Sequence, residues 1–245
     1  LFMQLRDLRE RIASRPAIVP AIDMTPSDLS ALAGCFEYFR RTRIAGETEP
    51  GLQPAGDPLR MHQGSLVHQI LERNIRPSRR ELVRQNLMDL EPVFESSEWK
   101  SLVDAGAERE LPFLMLVRAS DRDCWIRGRM DAVVCGEVPR VIDYKYATWR
   151  EGAEAAYEIQ IATYCLAVMK SLQTKRAVGE LWFLKSPMRV VRREFELHST
   201  ERRLQKLLEL YIEAVASNRW SLAYHEHCDK VRCGFREKCF GVPAG

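Results

Sequence analysis

Hydrophobic and polar positions along the chain change period several times, and each change marks an element. Cys124 to Val134 is rich in Trp, Ile and Val and reads as a strand. Cys135 to Arg140 carries the Gly and Pro of a turn, and Val141 to Tyr146 reads as a second, short strand. From Glu151 to Leu172 the period is helical: Tyr157, Ile161, Tyr164, Val168 and Leu172 recur at three- and four-residue spacing. Leu66, Ile70 and Leu71 mark one side of an upstream helix that also holds His68. Thr25-Pro26-Ser27-Asp28 opens a helix, with Thr25 as cap and Pro26 in the first turn. Arg80 to Gly106 reads as a helical cap over the core. Gly179 to Leu184 and Val190 to Leu197 read as strands, and Thr200 to Ala216 as an amphipathic helix. Leu1 to Arg15 is a charged, helical-looking lead, Pro16 to Ile22 an extended connector, and Glu47 to Pro58 a Gly- and Pro-rich mobile loop.

This order predicts an α/β fold in which a mixed central sheet is flanked by helices, with helical additions. The chain reads as one domain over 1–245: a leader and connector (1–24), a first helical segment with Cys35 (25–50), a core with its cap (59–197), and a C-terminal helix with a cysteine cluster (198–245). A hydrophobic content of 46% suits a sizeable core. No apolar run approaches a membrane span and there is no signal peptide, so a soluble, cytoplasmic protein is expected, with no membrane partner. The net charge of +3 is only mildly basic. Local clusters say more: Arg40, Arg41 and Arg43; Arg73, Arg76, Arg79 and Arg80; and Arg189, Arg192 and Arg193 are each placed to meet phosphates or to be solvated surface. Among the tryptophans, Trp149, just past the second strand, is the best placed to stack on a base.

The chemistry concentrates on two strands. Asp131 ends the first, and Asp143 and Lys145 share one face of the second, because side chains two apart on a strand point the same way. In a hairpin, Asp131 reaches the Asp143 side. Two close carboxylates repel unless a cation separates them. Mg²⁺ takes oxygen ligands and commonly only one or two carboxylates. It polarises a phosphoryl oxygen and lowers the pKa of bound water, and a nearby lysine offsets charge growing on the phosphate.

Four motifs stand in order: Gly64-x-x-x-His68, Gly128-Arg129-x-Asp131, Asp143-Tyr144-Lys145 and Gln160-x-x-x-Tyr164. Together they resemble RecB-type nucleases of the PD-(D/E)XK superfamily, over roughly Ser27 to Cys239. The resemblance implies a restriction-endonuclease-like core. It implies that His68, Asp131, Asp143 and the Tyr144 carbonyl hold Mg²⁺ or Mn²⁺, that Lys145 is the catalytic lysine, and that Gln160 and Tyr164 steady the site or touch the DNA backbone. Glu110 sits where that family often has a glutamate opening the first strand.

The seven cysteines are odd in number, which argues against a secreted disulfide framework. Cys124, Cys135 and Cys165 lie in apolar patterns and read as buried hydrophobes. Cys228, Cys233 and Cys239 crowd the C-terminus, with Cys35 far upstream. Such a set is able to bind Zn²⁺ or an iron–sulfur cluster, the bland reading being four unligated thiols. The layout resembles AddB- and Cas4-type nucleases, where one early and three late cysteines hold a [4Fe–4S] cluster. It departs from them in the four residues between Cys228 and Cys233, and His225 or His227 is an alternative ligand. Zinc is the alternative metal.

The resemblance implies a metal-dependent deoxyribonuclease acting on single strands or DNA ends. The missing initiator Met and the charged lead suggest the nuclease domain of a helicase–nuclease in recombinational repair, with a helicase domain or subunit as partner. A free-standing Cas4-like nuclease of CRISPR adaptation is an alternative. So is a non-catalytic DNA-binding or assembly module, although such a module has no need of the full acid–acid–lysine set.

Overall fold

The computed structural model describes residues 21–50 and 58–241. Six strands make one sheet among them: β1 (Ile22–Met24), β2 (Glu108–Ala119), β3 (Arg122–Val134), β4 (Arg140–Lys145), β5 (Arg176–Phe183) and β6 (Arg189–Glu196). β2, β3 and β4 run antiparallel in sequence, β4 and β5 are parallel, and β6 returns antiparallel. β1 pairs in parallel with the start of β3, Ile22 opposite Cys124, on the edge that β4 continues. The mixed sheet is the one the sequence predicts. The β2–β3 turn needs Ser120 and Asp121 both at positive φ (46° and 60°). That mirror-image turn matches the twist of the paired strands.

The helices are α1 (Pro26–Gly34), α2 (Phe36–Phe39), α3 (Pro58–Glu72), α4 (Arg79–Arg84), α5 (Glu91–Glu95), α6 (Ser97–Asp104), α7 (Glu158–Leu172), α8 (Leu197–Ser217), α9 (His225–Val231) and α10 (Arg236–Phe240). Thr25 caps α1 as predicted. Its Oγ1 accepts from Asp28 N at 3.2 Å, while Thr25 N donates back to Asp28 Oδ2 at 3.0 Å.

Two cores sandwich the sheet. On one face Ile126, Met130, Val133, Val141, Leu181 and Phe183 pack against Leu29 and Leu32 of α1, Ile161 and Leu166 of α7, and Leu204 and Leu208 of α8. On the other, Ala132, Ile142, Tyr144 and Trp182 pack against Val67 and Leu71 of α3, Leu82 of α4, Phe94 of α5 and Trp99 of α6. Gly128 of the Gly-Arg-x-Asp motif has a packing reason. A Cβ there would lie 2.8 Å from the Phe113 ring and 3.1 Å from Pro26, so only glycine lets the start of α1 sit this close.

Several expectations change. Residues 80–106 are not one helix but α4, a 3₁₀ turn at Met88–Leu90, α5 and α6, broken by Asn86 at φ 54° and by the Ser96 cap. The helix expected from Glu151 starts at Glu158. Gly152, at φ 76°, precedes a 3₁₀ turn over Ala153–Tyr157. Ile22 to Met24 is a strand rather than connector. Cys135 is exposed, not buried, because β3 ends at Val134 and leaves it in the turn. The lead over 1–15 and the connector as far as 20 lie outside the described residues, as does most of the expected mobile loop (51–57). The start of that loop is pinned. Glu49 accepts from Tyr38 Oη at 3.0 Å and from Gly234 N at 2.6 Å. Among the described residues, no helix is long and apolar enough to cross a membrane.

Candidate metal and catalytic site

Strict alternation on β4 builds the first half of the site. Ile142 and Tyr144 enter the core beneath α3, so Asp143 and Lys145 face α7. Asp143 is 2% exposed. Lys145 Nζ lies 2.7 Å from its Oδ2 and donates to Gln160 Oε1 at 3.1 Å. Gln160 Nε2 in turn donates to Tyr164 Oη at 3.0 Å. The ammonium also sits 4.5 Å from the Tyr157 ring centroid. The four-residue spacing on α7 thus makes Gln160 and Tyr164 a relay that holds the lysine.

A break in alternation builds the second half. On β3, Met130 packs in the core under α7, yet Ala132 packs in the opposite one. On β2, Leu111 packs beside Met130, whereas Arg109 turns to the other face, stacking 4.8 Å from the Trp99 ring. The slip falls at the facing residues Glu110 and Asp131, and Glu110 takes φ 49°, rare for a side chain of its size. Such irregularities re-aim side chains beside functional sites. Here donor atoms of Glu110, Asp131 and His68 all come within 4.8 Å of one another. Asp131 Oδ1 is 3.2 Å from His68 Nδ1, and Oδ2 accepts from Tyr144 N at 2.6 Å. Arg129 Nη1 donates to Glu110 Oε2 at 3.3 Å. Arg109 braces the back of the site, donating to the Leu71 carbonyl at 3.0 Å and to Tyr144 Oη at 3.3 Å.

The electrostatics are those of crowded acids. Burial, with the Asp131 charge adding to it, raises the Asp143 pKa to about 6 against the opposing pull of Lys145. Burial and then the Asp131 charge also raise Glu110, although Arg129 opposes them. Burial disfavours charged His68, but its bond to Asp131 and the charges of Asp131, Asp143 and Glu110 outweigh that and raise its pKa. A divalent cation relieves such a set. The donors are carboxylate oxygens and one imidazole, a chemistry that fits Mg²⁺ or Mn²⁺.

The predicted residues therefore converge, with one shift of emphasis. Glu110 joins His68 and Asp131 in the tight group, while Asp143 stands beside it, paired with Lys145. The Tyr144 side chain is buried in the core beneath α3, where its ring meets that of His68 edge-on, and its backbone amide faces Asp131. Sequence reasoning singled out neither Arg109 nor Arg129 for these roles. Both flank a motif acid, but only the strand slip gives them their directions.

The cysteines form a second cluster. Cys35 caps α2, its Sγ accepting from Tyr38 N at 3.4 Å. Cys228 is buried in α9, Cys233 follows it, and Cys239 lies in α10. Burial pushes the Cys228 thiol up to about 11, and the neighbouring Cys233, Cys35 and Cys239 push the same way. Burial is likewise the first cause raising Cys233 and Cys239. A cavity of about 320 Å³ is lined by Cys35, Tyr38, Cys228 and Cys233, with His227 at its wall. His225 instead pairs with Asp229 at 3.2 Å. Among the described residues, the four sulfurs do not gather within 4.8 Å of one another as the donors of His68, Glu110 and Asp131 do.

The family model described as the PD-(D/E)XK nuclease superfamily matches residues 23–240. No curated protein matches the sequence. Two solved structures share the fold. The crystal structure of SSO0001 is 16% identical, covering 99% of this chain and 96% of its own, with a TM-score of 0.50. A candidate exonuclease from Eubacterium rectale is 15% identical, covering 85% of this chain and 86% of its own, with a TM-score of 0.51.

Proposed function

This chain belongs to the PD-(D/E)XK nuclease superfamily, and from that premise we propose that it is a metal-dependent deoxyribonuclease acting on single strands or DNA ends. One observation carries the reading. The tight group of His68, Glu110 and Asp131 adjoins the buried Asp143–Lys145 pair, which the Gln160–Tyr164 relay steadies.

In this reading His68, Glu110, Asp131, Asp143 and the Tyr144 carbonyl hold Mg²⁺ or Mn²⁺. The bound cation supplies Lewis acidity to a phosphoryl oxygen and a site for the attacking water. The protein supplies the rest. Lys145 presents a fixed positive charge where the phosphate gains negative charge, and Gln160 on α7 and the Tyr157 ring hold it beside Asp143. Asp131, bonded to the β4 backbone, sets the separation of the acids. Burial of Asp143 keeps competing water from its carboxylate. Arg129 meets Glu110 at the open side, where it can pass from that carboxylate to an incoming phosphate.

Cys35, Cys228, Cys233 and Cys239 hold a [4Fe–4S] cluster in this reading, with zinc as the alternative. The motif order shared with RecB-type nucleases supports the nuclease domain of a helicase–nuclease in recombinational repair. The same order suits a free-standing Cas4-like nuclease.

The test is digestion of end-labelled single- and double-stranded DNA by the purified protein, with Mg²⁺ or Mn²⁺ and with EDTA. The reading requires metal-dependent cleavage that Asp143→Ala and Lys145→Ala abolish. Wild-type protein that binds DNA without cutting it under any of these conditions would support the non-catalytic module instead.

A further inference from the structure

Beyond the acids, one cation just past β5 and one at the start of β6 each sit on an aromatic ring. Lys185 Nζ sits 4.6 Å from the Tyr146 ring centroid, and the Arg189 guanidinium 5.1 Å from that of Trp149. Neither cation is in an ion pair among the described residues. Three exposed arginines elsewhere on the sheet are neutralised: Arg118 faces Asp123 at 3.1 Å, Arg127 faces Asp23 at 3.0 Å and Arg193 faces Glu158 at 3.2 Å. A carboxylate partner orients a cation by cancelling its charge. An aromatic face orients it and leaves the charge free for an anion.

Two acids bonded beside these residues are engaged with other groups. Asp89 accepts from Ser186 N at 3.4 Å, while the Tyr146 hydroxyl donates to the Asn86 carbonyl at 3.5 Å; Glu154 accepts from Trp149 Nε1 at 3.3 Å. The rings are themselves anchored, Tyr146 against the core beneath α3 and Trp149 against the core beneath α7. Each cation is therefore held on a fixed support.

Their position gives the ligand. Lys145 pairs with Phe183 across β4–β5, and Phe183 pairs with Arg189 across β5–β6. These three residues form one row, which puts Arg189 roughly 10 Å from the catalytic lysine at about 4.8 Å per strand. Lys185 N donates to the Ala147 carbonyl at 3.3 Å, beside the segment that leaves Lys145. We propose that Lys185 and Arg189, backed by Tyr146 and Trp149, form a binding track for single-stranded DNA that continues from the catalytic centre across the ends of β4, β5 and β6. Lys185 meets a backbone phosphate. Arg189 meets a phosphate or lies flat against a base, extending the stack that Trp149 begins. The proposal rests on the nuclease reading and names how that site holds its substrate on one side.

The test is binding of a fluorescein-labelled oligothymidylate to the full chain in EDTA, followed by anisotropy over a series of NaCl concentrations. The variants are the double change Lys185→Ala/Arg189→Ala, Trp149→Ala, Trp149→Phe, and the paired-arginine control Arg118→Ala/Arg127→Ala. The first should bind roughly tenfold more weakly at low salt, with a log–log salt slope shallower by about 0.7 if Arg189 lies on a base and about 1.4 if it also meets a phosphate. Trp149→Ala should lose part of that affinity and Trp149→Phe should restore it. The control should keep the wild-type slope. A Lys185→Ala/Arg189→Ala protein with wild-type affinity and slope overturns the track, as does a wild type that prefers duplex over the single strand. Cleavage by the wild type is scored separately. A shallower slope without cleavage upholds the track and sinks the nuclease reading, while cleavage with an unchanged slope does the reverse.

Discussion

The Tyr144 amide donates to Asp131 Oδ2 at 2.6 Å, so a candidate metal ligand also ties β3 to β4, the strand of Asp143 and Lys145. The two roles separate by substitution. Asp131→Ala removes both and leaves a buried N–H without its acceptor, at a cost of about 1–3 kcal/mol. Asp131→Asn keeps an acceptor but loses the charge. Thermal unfolding should show the alanine variant melting well below the asparagine variant. Calorimetric titration should show neither taking up Mn²⁺ as the wild type does.

The raised pKa of Asp143 predicts how stability and metal binding depend on pH. In the unfolded chain this carboxyl titrates near its usual value of about 3.9, whereas in the fold it titrates near 6. Between these values the folded state binds more protons. Stability in EDTA therefore declines as pH rises through that window and stays lower above it. Metal binding needs the carboxylate, so it strengthens over the same range. The rise in melting temperature on adding Mn²⁺ should be small near pH 5 and large near pH 8. An equal rise at both would contradict this assignment.

Arg109 is expected to position the site without touching substrate. It joins the C-terminal turn of α3, which carries His68, to Tyr144 on β4. Losing two bonds from a charged donor should cost about 1.5–3 kcal/mol. Arg109→Ala should lower the denaturant midpoint and weaken Mn²⁺ binding. Arg109→Lys should restore little, because a lysine lacks the fork that reaches both acceptors and the plane that stacks on Trp99.

The cysteine cluster should act on the fold more than on the chemistry. It joins α2, near the start of the described chain, to α9 and α10 at its end, and Phe235 between Cys233 and Cys239 is fully buried. Cys239→Ala should therefore lower the melting temperature markedly, with a loss of about 2–5 kcal/mol by analogy with a long-range disulfide. Residual folded protein should still cleave DNA. An absorption band near 400 nm, lost in this variant, would identify iron–sulfur over zinc. Unchanged melting with lost cleavage would contradict the structural role.

Much of the site was legible because it rests on regular periods. Asp143 and Lys145 share a face by strand alternation, and Gln160 and Tyr164 meet by helical spacing. What was hidden lies where periods fail. The β2–β3 hairpin turns on Ser120-Asp121, without the glycine or asparagine that usually announces such a turn. The slip at Glu110 and Asp131 reverses which side of each strand is buried, and no pattern of apolar residues encodes it. Glu110 is consequently legible by resemblance alone, and the sequence does not single out Arg109 and Arg129 as its neighbours in the site. Cys135 looked buried because it follows an apolar strand, but it stands one residue past that strand's last pair.

The most direct measurement compares wild type with Asp143→Asn, an uncharged substitution of equal size, in one cleavage assay on labelled single-stranded DNA with Mg²⁺. The account predicts that cleavage falls by about 10²-fold or more while the melting temperature in EDTA near pH 7 holds or rises, since burial disfavours the Asp143 charge more than Lys145 favours it. An Asp143→Asn protein that cuts at the wild-type rate would contradict it.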